Sequence, residues 1–150
     1  MRCLIQRVSE ASVAIEGQVV GEIQRGFLLL LGVESADDTS DIEWLVPKIL
    51  KMRIFEDDEG KMNRSLIDCS GDILVVSQFT LHASTKKGNR PSFIKAARPE
   101  QSEPLYEQFC QELERQSGRK VATGKFGGDM QVSLVNDGPV TIWIDSRDRQ

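Results

Sequence analysis

The sequence predicts an α+β fold in which an antiparallel-rich, barrel-like β-sheet curls around a core and two main helices flank it. Three observations predict it. Stretches near both ends alternate apolar with polar residues, as half-buried strands do: Cys3 and Ile5, Val13 and Ile15, then Val140, Ile142 and Ile144. Two aliphatic runs, Phe27 to Val33 and Ile73 to Val76, carry no charge and read as strands buried on both faces. Ile42, Leu45, Val46, Ile49 and Leu50 follow helical spacing, and so do Leu105, Phe109 and Leu113. At 150 residues the chain is sized for one domain, 1–150, with a proper core.

Taken in order, residues 2–8 and 11–16 read as two half-buried strands. Arg7 lies among them; a strand arginine is usually solvated, and a buried one needs carbonyl oxygens or a carboxylate. Glu16-Gly17 supplies a turn, and Val19 to Ile23 returns as a strand. Gly26 and Gly32 bracket the buried run that follows. Thr39 or Ser40 is the expected cap of the first helix. Pro47 sits inside that helix, removes a backbone hydrogen bond at a cost of roughly 3 kcal/mol, and should kink it. Arg53 to Phe55 reads as a short strand, Asp57 to Gly60 as a turn, and Lys61 to Ser70 as irregular.

The stretch Gly71 to Leu81 organises the rest. After Ile73 to Val76 come Ser77, Gln78 and Thr80, polar side chains set around Phe79 where the apolar pattern was still running. Hydroxyls and an amide at the end of a core strand are costly unless paired. They are either a strand entering a turn or a row of donors and acceptors lining a pocket. Thr85 to Ser92 is a polar loop with Lys86, Lys87 and Arg90, readable as solvated or as an edge that meets phosphates. Ser102-Glu-Pro opens the second helix and Gly118 closes it. Arg115, Arg119 and Lys120 near its end already suit the helix dipole. The loop Lys125 to Met130 matches no phosphate-cradling glycine pattern. Gln131 to Val135 and Val140 to Ile144 read as two strands around Asn136-Asp-Gly-Pro139, whose residue types make a hairpin turn.

Composition narrows the chemistry. The longest apolar run, Phe27 to Leu31, is far short of a membrane span, and the first residues lack a secretion signal. Cys3, Cys69 and Cys110 are widely spaced and form no Cys-x-x-Cys pair, which points to a reducing, cytoplasmic setting. The net charge of −4 weighs against a nucleic-acid partner, although local basic loops can override it. The one histidine, His82, follows no nucleophile elbow and is expected at the surface. No cluster has metal-ligand spacing, so neither metal nor cofactor is expected. Any reaction must then rest on hydroxyls, backbone donors and a substrate that is already labile, such as an activated ester.

Two motifs sharpen this. Ser77-Gln-Phe-Thr-Leu81 together with Asn136-Asp-Gly-Pro-Val-Thr141 resembles the paired signatures of the D-aminoacyl-tRNA deacylases. The likeness extends over nearly the whole chain, through Gln6-Arg-Val8, Ala11-Ser-Val13, Gly60 to Asn63, Asn89 to Phe93, Thr123 to Phe126 and Asp129 to Leu134. Gly128, where the family would be expected to show alanine, departs from the pattern, as Pro47 does. The resemblance implies an enzyme that hydrolyses the ester joining a D-amino acid to the terminal ribose of tRNA, and glycine mischarged on tRNA(Ala) as well. It implies a homodimer with sites at the subunit interface, where one subunit inserts a cis Gly138-Pro139 pair into its partner's pocket as a chiral gate.

By the same resemblance Arg7 would hold the gate, and Ser77, Gln78, Phe79 and Thr80 would line the catalytic site with backbone N–H groups near Phe79 and Thr80 for the oxyanion. Phe126 and Met130 would pack near the terminal adenosine, and Lys86, Lys87 and Arg90 become candidates for acceptor-stem phosphates. Two mechanisms stay open: attack by Thr80, or a water assisted by the ribose 2′-hydroxyl. The inventory is poor in bases and favours the second. The competing class is a tRNA-end-binding or dimerisation module without turnover.

Overall fold

The computed structural model describes residues 1–150. In chain order the elements are β1 (Arg2–Ile15), β2 (Gln18–Ile23), β3 (Gly26–Gly32), α1 (Thr39–Lys51), β4 (Phe55–Glu56), β5 (Met62–Arg64) and β6 (Asp72–Ser77). A 3-10 turn (Phe79–His82), α2 (Pro99–Ser117), β7 (Val121–Thr123) and β8 (Gln131–Asp145) complete them.

The hub is β1. Its first half pairs antiparallel with β3, its second half with β2, and its other edge carries β8. The two strands expected at residues 2–8 and 11–16 are therefore one. Ser9 and Glu10 are exposed and interrupt the alternation because β1 bulges there against β8, and a bulge shifts the phase of a strand. Beyond β3 the sheet turns parallel, with β3 beside β6 and β6 beside β7. Parallel neighbours need crossovers, and α1 and α2 lie in those two connections. The sheet curls until β2 meets β7. A Cβ on Gly21 would sit 2.6 Å from the Thr123 carbonyl oxygen, so this closure needs a residue without a side chain.

Both faces of β3 and β6 are buried, as their uncharged runs require. Phe27, Leu29, Leu31, Ile73 and Val75 face the helices and belong to the larger core with Leu45, Ile49, Phe109 and Leu113. Leu28, Leu74 and Val76 face inward and meet Val8, Val13 and Ile23 from the rest of the curl.

Local differences from the expected elements have local causes. Asp38, not Thr39 or Ser40, caps α1: its carboxylate accepts from the Ser40 N–H at 2.8 Å, while Asp41 accepts from the Asp38 N–H at 2.9 Å. Pro47 lies inside α1 and does not break it. Pro99 opens α2 three residues before the expected start, since a first-turn proline gives up no intrahelical bond. Gly118 ends it at φ +68°, as expected of a helix-ending glycine. Phe55–Glu56 pairs with Met62–Arg64, so part of the segment read as irregular is a strand. No helix is long and apolar enough to cross a membrane.

The largest correction concerns β8. Asn136 to Pro139 is not a hairpin turn; it lies within one strand that runs along β1 on both sides of it. Gln6 pairs with Thr141 and Val8 with Asn136, so a step of two residues on β1 spans five on β8. The surplus, Asp137 to Pro139, is exposed.

Candidate active site

β6 delivers Ser77 and Gln78, both half-buried, to the mouth of a cavity of about 470 Å³. The 3-10 turn then carries Phe79 onto its rim. Phe79 is 57% exposed and meets the edge of Phe93 with ring centroids 5.1 Å apart. The far wall comes from the start of α2 and from Phe126, whose ring lies 5.7 Å from that of Tyr106. The structure thus brings Ser77, Gln78, Phe79 and Phe126 around one cavity.

Thr80 is exposed beside it, and the Gln78 side-chain amide is hydrogen-bonded to its hydroxyl. Whichever amide atom faces the hydroxyl, an amide cannot take its proton. In the turn itself the Leu81 N–H donates to the Gln78 carbonyl at 3.2 Å. The N–H groups of Phe79 and Thr80 precede that first bond, and no side chain caps them.

Burial holds Tyr106, Cys110, Cys3 and His82 in their uncharged forms. Burial raises the Tyr106 phenol, which donates to the Val75 carbonyl at 2.9 Å, and pushes the Cys110 thiol up to about 12. Burial likewise raises the Cys3 thiol. His82 corrects the surface placement expected for it: only 1% of it is exposed, and neither ring nitrogen has a hydrogen-bond partner. Burial lowers its pKa, outweighing an opposing effect from the Gly32 backbone. It is the buried end of the turn, with its Cδ2 edge towards Gly32.

The remaining candidates lie elsewhere. Arg7 is buried, contrary to the usual fate of a strand arginine, and has the partners such a residue needs. Its Nη1 donates to the Ile54 carbonyl at 2.6 Å and its Nε to the Asp137 carbonyl at 3.3 Å, with the Asp137 carboxylate 3.2 Å from Nε. It therefore anchors the exposed loop bearing Gly138 and Pro139, whose shared peptide bond is cis. None of these three lines the cavity of their own chain. Met130 does not line it either: it is half-buried, with its sulfur against Gly124 and the smaller core. Lys86, Lys87 and Arg90 are exposed on a loop pinched by the Ser84–Ser92 bridge.

Tyr106 and Phe93 were not singled out as cavity residues from the sequence. A signal existed for Tyr106, the one tyrosine in the chain: it shares a buried helix face with Ser102, Phe109 and Leu113 and carries a hydroxyl that must be paired there.

Comparison with known proteins identifies the family. The family model described as D-Tyr-tRNA(Tyr) deacylase matches residues 4–145. Among curated proteins, the D-aminoacyl-tRNA deacylase of Chromobacterium violaceum is 63% identical over 147 residues, 98% of each chain. That of Flavobacterium johnsoniae is 60% identical over the whole of both chains. A solved structure titled "c-Myc DNA Unwinding Element Binding Protein" superposes with a TM-score of 0.92 at 42% identity, covering 97% of this chain and 98% of the other. On these grounds the chain belongs to the D-Tyr-tRNA(Tyr) deacylase family.

Proposed function

We propose that this protein hydrolyses D-aminoacyl-tRNA by holding the ester in place rather than by attacking it. Its family membership carries the coarse activity: it is a D-aminoacyl-tRNA deacylase, a hydrolase acting on aminoacyl-tRNA esters. The observation that supports positioning is the cavity mouth itself. Ser77, Gln78 and Phe79 line it, and the next residue, Thr80, has its hydroxyl held by the Gln78 amide. No side chain caps the turn's first N–H groups, and the one imidazole is buried without a partner. The Phe79 and Thr80 amides would receive the developing oxyanion, a kind of donor whose loss costs about 10²–10³ in rate. Ser77, Gln78 and Thr80 would orient the ester, and the ribose 2′-hydroxyl would assist the attacking water.

The terminal adenosine would occupy the apolar cavity against Phe126, where stacking is worth about 1–3 kcal/mol. Met130 would act from behind, by setting the loop that carries Phe126. Lys86, Lys87 and Arg90 would meet acceptor-stem phosphates.

The chiral gate would come from a second copy. Gly138 and Pro139 protrude and do not reach the cavity of their own chain, which suits insertion into a partner's. Their carbonyls would bind the substrate amino group and leave no room for an L side chain. A thousandfold preference needs about 4 kcal/mol, within reach of a backbone clash in a rigid pocket. Glycine, having no side chain to exclude, would be accepted too, so glycyl-tRNA(Ala) is a second substrate. The setting is the cytoplasm, where aminoacyl-tRNA is made and used.

Deacylation of matched D- and L-aminoacyl-tRNA by the purified, metal-free protein tests this reading, beside Thr80→Ala and Pro139→Ala. Rapid loss of the D-ester alone, largely surviving Thr80→Ala, is expected. Abolished turnover in Thr80→Ala with tRNA still bound would make Thr80 the nucleophile. No turnover of either ester by the unaltered protein, with tRNA bound, would leave only a binding module.

A further inference from the structure

The loop Asp137 to Pro139 is tied at its base by one side chain. We propose that Asn136 is a positioning residue that sets where the Gly138 and Pro139 carbonyls point, and through them the preference for D over L esters. This rests on the gate described above and assigns its control to a residue outside the Gly-Pro pair.

The Asn136 Nδ2 donates to the Arg7 carbonyl at 3.1 Å and to the Val140 carbonyl at 3.0 Å. Its Oδ1 accepts from the Thr141 hydroxyl at 3.2 Å, and that hydroxyl oxygen accepts in turn from the Gln6 amide at 3.4 Å. Two carbonyls can be met only by the NH₂ side of the amide, so the network fixes its orientation. One side chain therefore joins three things. Arg7 belongs to the facing strand and supplies the guanidinium that grips Asp137. Pairing of β8 with β1 stops at Asn136 and resumes at Thr141, the residue after Val140. The ladder loses its regular pairing across this bulge, and the Asn136 amide takes its place.

No other side chain hydrogen-bonds both ends of the loop. Arg7 secures Asp137, its first residue, and the exit is held by Val140, buried in the larger core, and by Thr141 paired with Gln6; Asn136 is the side chain that hydrogen-bonds the entry to that exit. Without those bonds the two ends of the loop would stay anchored, by Arg7 and by Val140, but would no longer be fixed to each other, so the tip between them could shift and blur the clash that rejects an L side chain. Discrimination should suffer more than binding of the tRNA.

The test is kcat/KM for matched D- and L-aminoacyl-tRNA, together with Tm, for Asn136→Asp, Thr141→Val and Gly138→Ala in the full-length protein. Asn136→Asp keeps the shape but donates nothing and turns a carboxylate towards two carbonyls. With about fivefold per hydrogen bond, its D-to-L ratio should fall at least tenfold. Thr141→Val removes only the hydroxyl that orients the amide, and its ratio should fall a few-fold with D-ester binding retained. A lowered Tm with an unchanged ratio in Asn136→Asp would make Asn136 a structural clamp only and overturn the proposal. Should Asn136→Asp fail to fold, the folded Thr141→Val decides in the same way. Gly138→Ala separates the two readings. If it keeps full discrimination, the gate itself is wrong; if it loses discrimination while Asn136→Asp keeps it, only the role of Asn136 falls.

Discussion

The guanidinium of Arg7 reaches across from β1 to two backbone carbonyls and one carboxylate in a setting where only 4% of the residue meets solvent. Removing it strips a partner from the buried Ile54 carbonyl, at a cost of about 1–3 kcal/mol, while the exposed Asp137 oxygens can turn to water. Arg7→Met, which keeps the stem and loses the fork, should lower stability by about 1–3 kcal/mol in urea unfolding and loosen the D preference together. Gly138 offers a second residue-scale test. At φ +120° it occupies backbone space that side chains avoid, and a Cβ there would meet the Arg7 Nη2 at 3.0 Å and Val140 Cγ2 at 2.8 Å. Gly138→Ala must displace the guanidinium or the loop. D-ester turnover should fall about tenfold or more, the equivalent of 1.4 kcal/mol, with tRNA binding in a filter assay little changed.

At the scale of elements, the 3-10 turn exposes Phe79 and Thr80 at its start and buries His82 at its end, against Gly32. The groups that bear on His82 are Arg2 and the Met1 ammonium, which disfavour its charge, and Glu34, which favours it, while burial dominates. Its folded pKa lies below the ordinary value of 6.5, so the unfolded chain binds the proton first as pH falls. Stability from the neutral ring is complete above 6.5 and drains away as the pH drops below it, until the ring charges in the folded protein too. Urea midpoints measured between pH 7 and pH 5 should fall for the unaltered protein and fall less for His82→Leu. Parallel curves would remove His82 from the account.

Much of this level could be read from the residues: two doubly buried strands, two amphipathic helices, a polar row closing a core strand. What could not be read was set by distant partners. Asn136-Asp-Gly-Pro139 has the same composition whether it turns a hairpin or bulges from a strand, and only pairing with β1 on both sides decides. His82 looked like a surface residue because nothing nearby in sequence revealed that Gly32 leaves room for it. Arg7 was legible in conditional form: buried only if carbonyls or a carboxylate awaited it, and both do.

At the scale of the molecule, β1 and β8 bring both ends of the chain to α1, and a buried network closes the seam. The Met1 ammonium lies 2.5 Å from the Asp37 carboxylate, with both groups fully buried, and donates to the Ser146 hydroxyl at 2.8 Å. That hydroxyl donates to Asp41 at 2.6 Å, and Arg147 reaches Asp37 at 3.0 Å. The Asp37 carboxylate also accepts from the Glu34 N–H at 2.8 Å, fixing the loop that leads into α1. Breaking a buried pair strands the remaining charge, at a cost of about 3–5 kcal/mol, far more than an exposed pair carries. Asp37→Asn should therefore lower unfolding stability by that amount. The loss should persist in high salt, because screening acts weakly on charges away from solvent. Removal of the exposed pair Lys61–Glu59, joined at 3.1 Å, provides the contrast and should change stability by less than about 1 kcal/mol. If Asp37→Asn unfolds at the urea concentration of the unaltered chain, the seam is held by apolar packing of β1, β8 and α1, and the ionic network only decorates it.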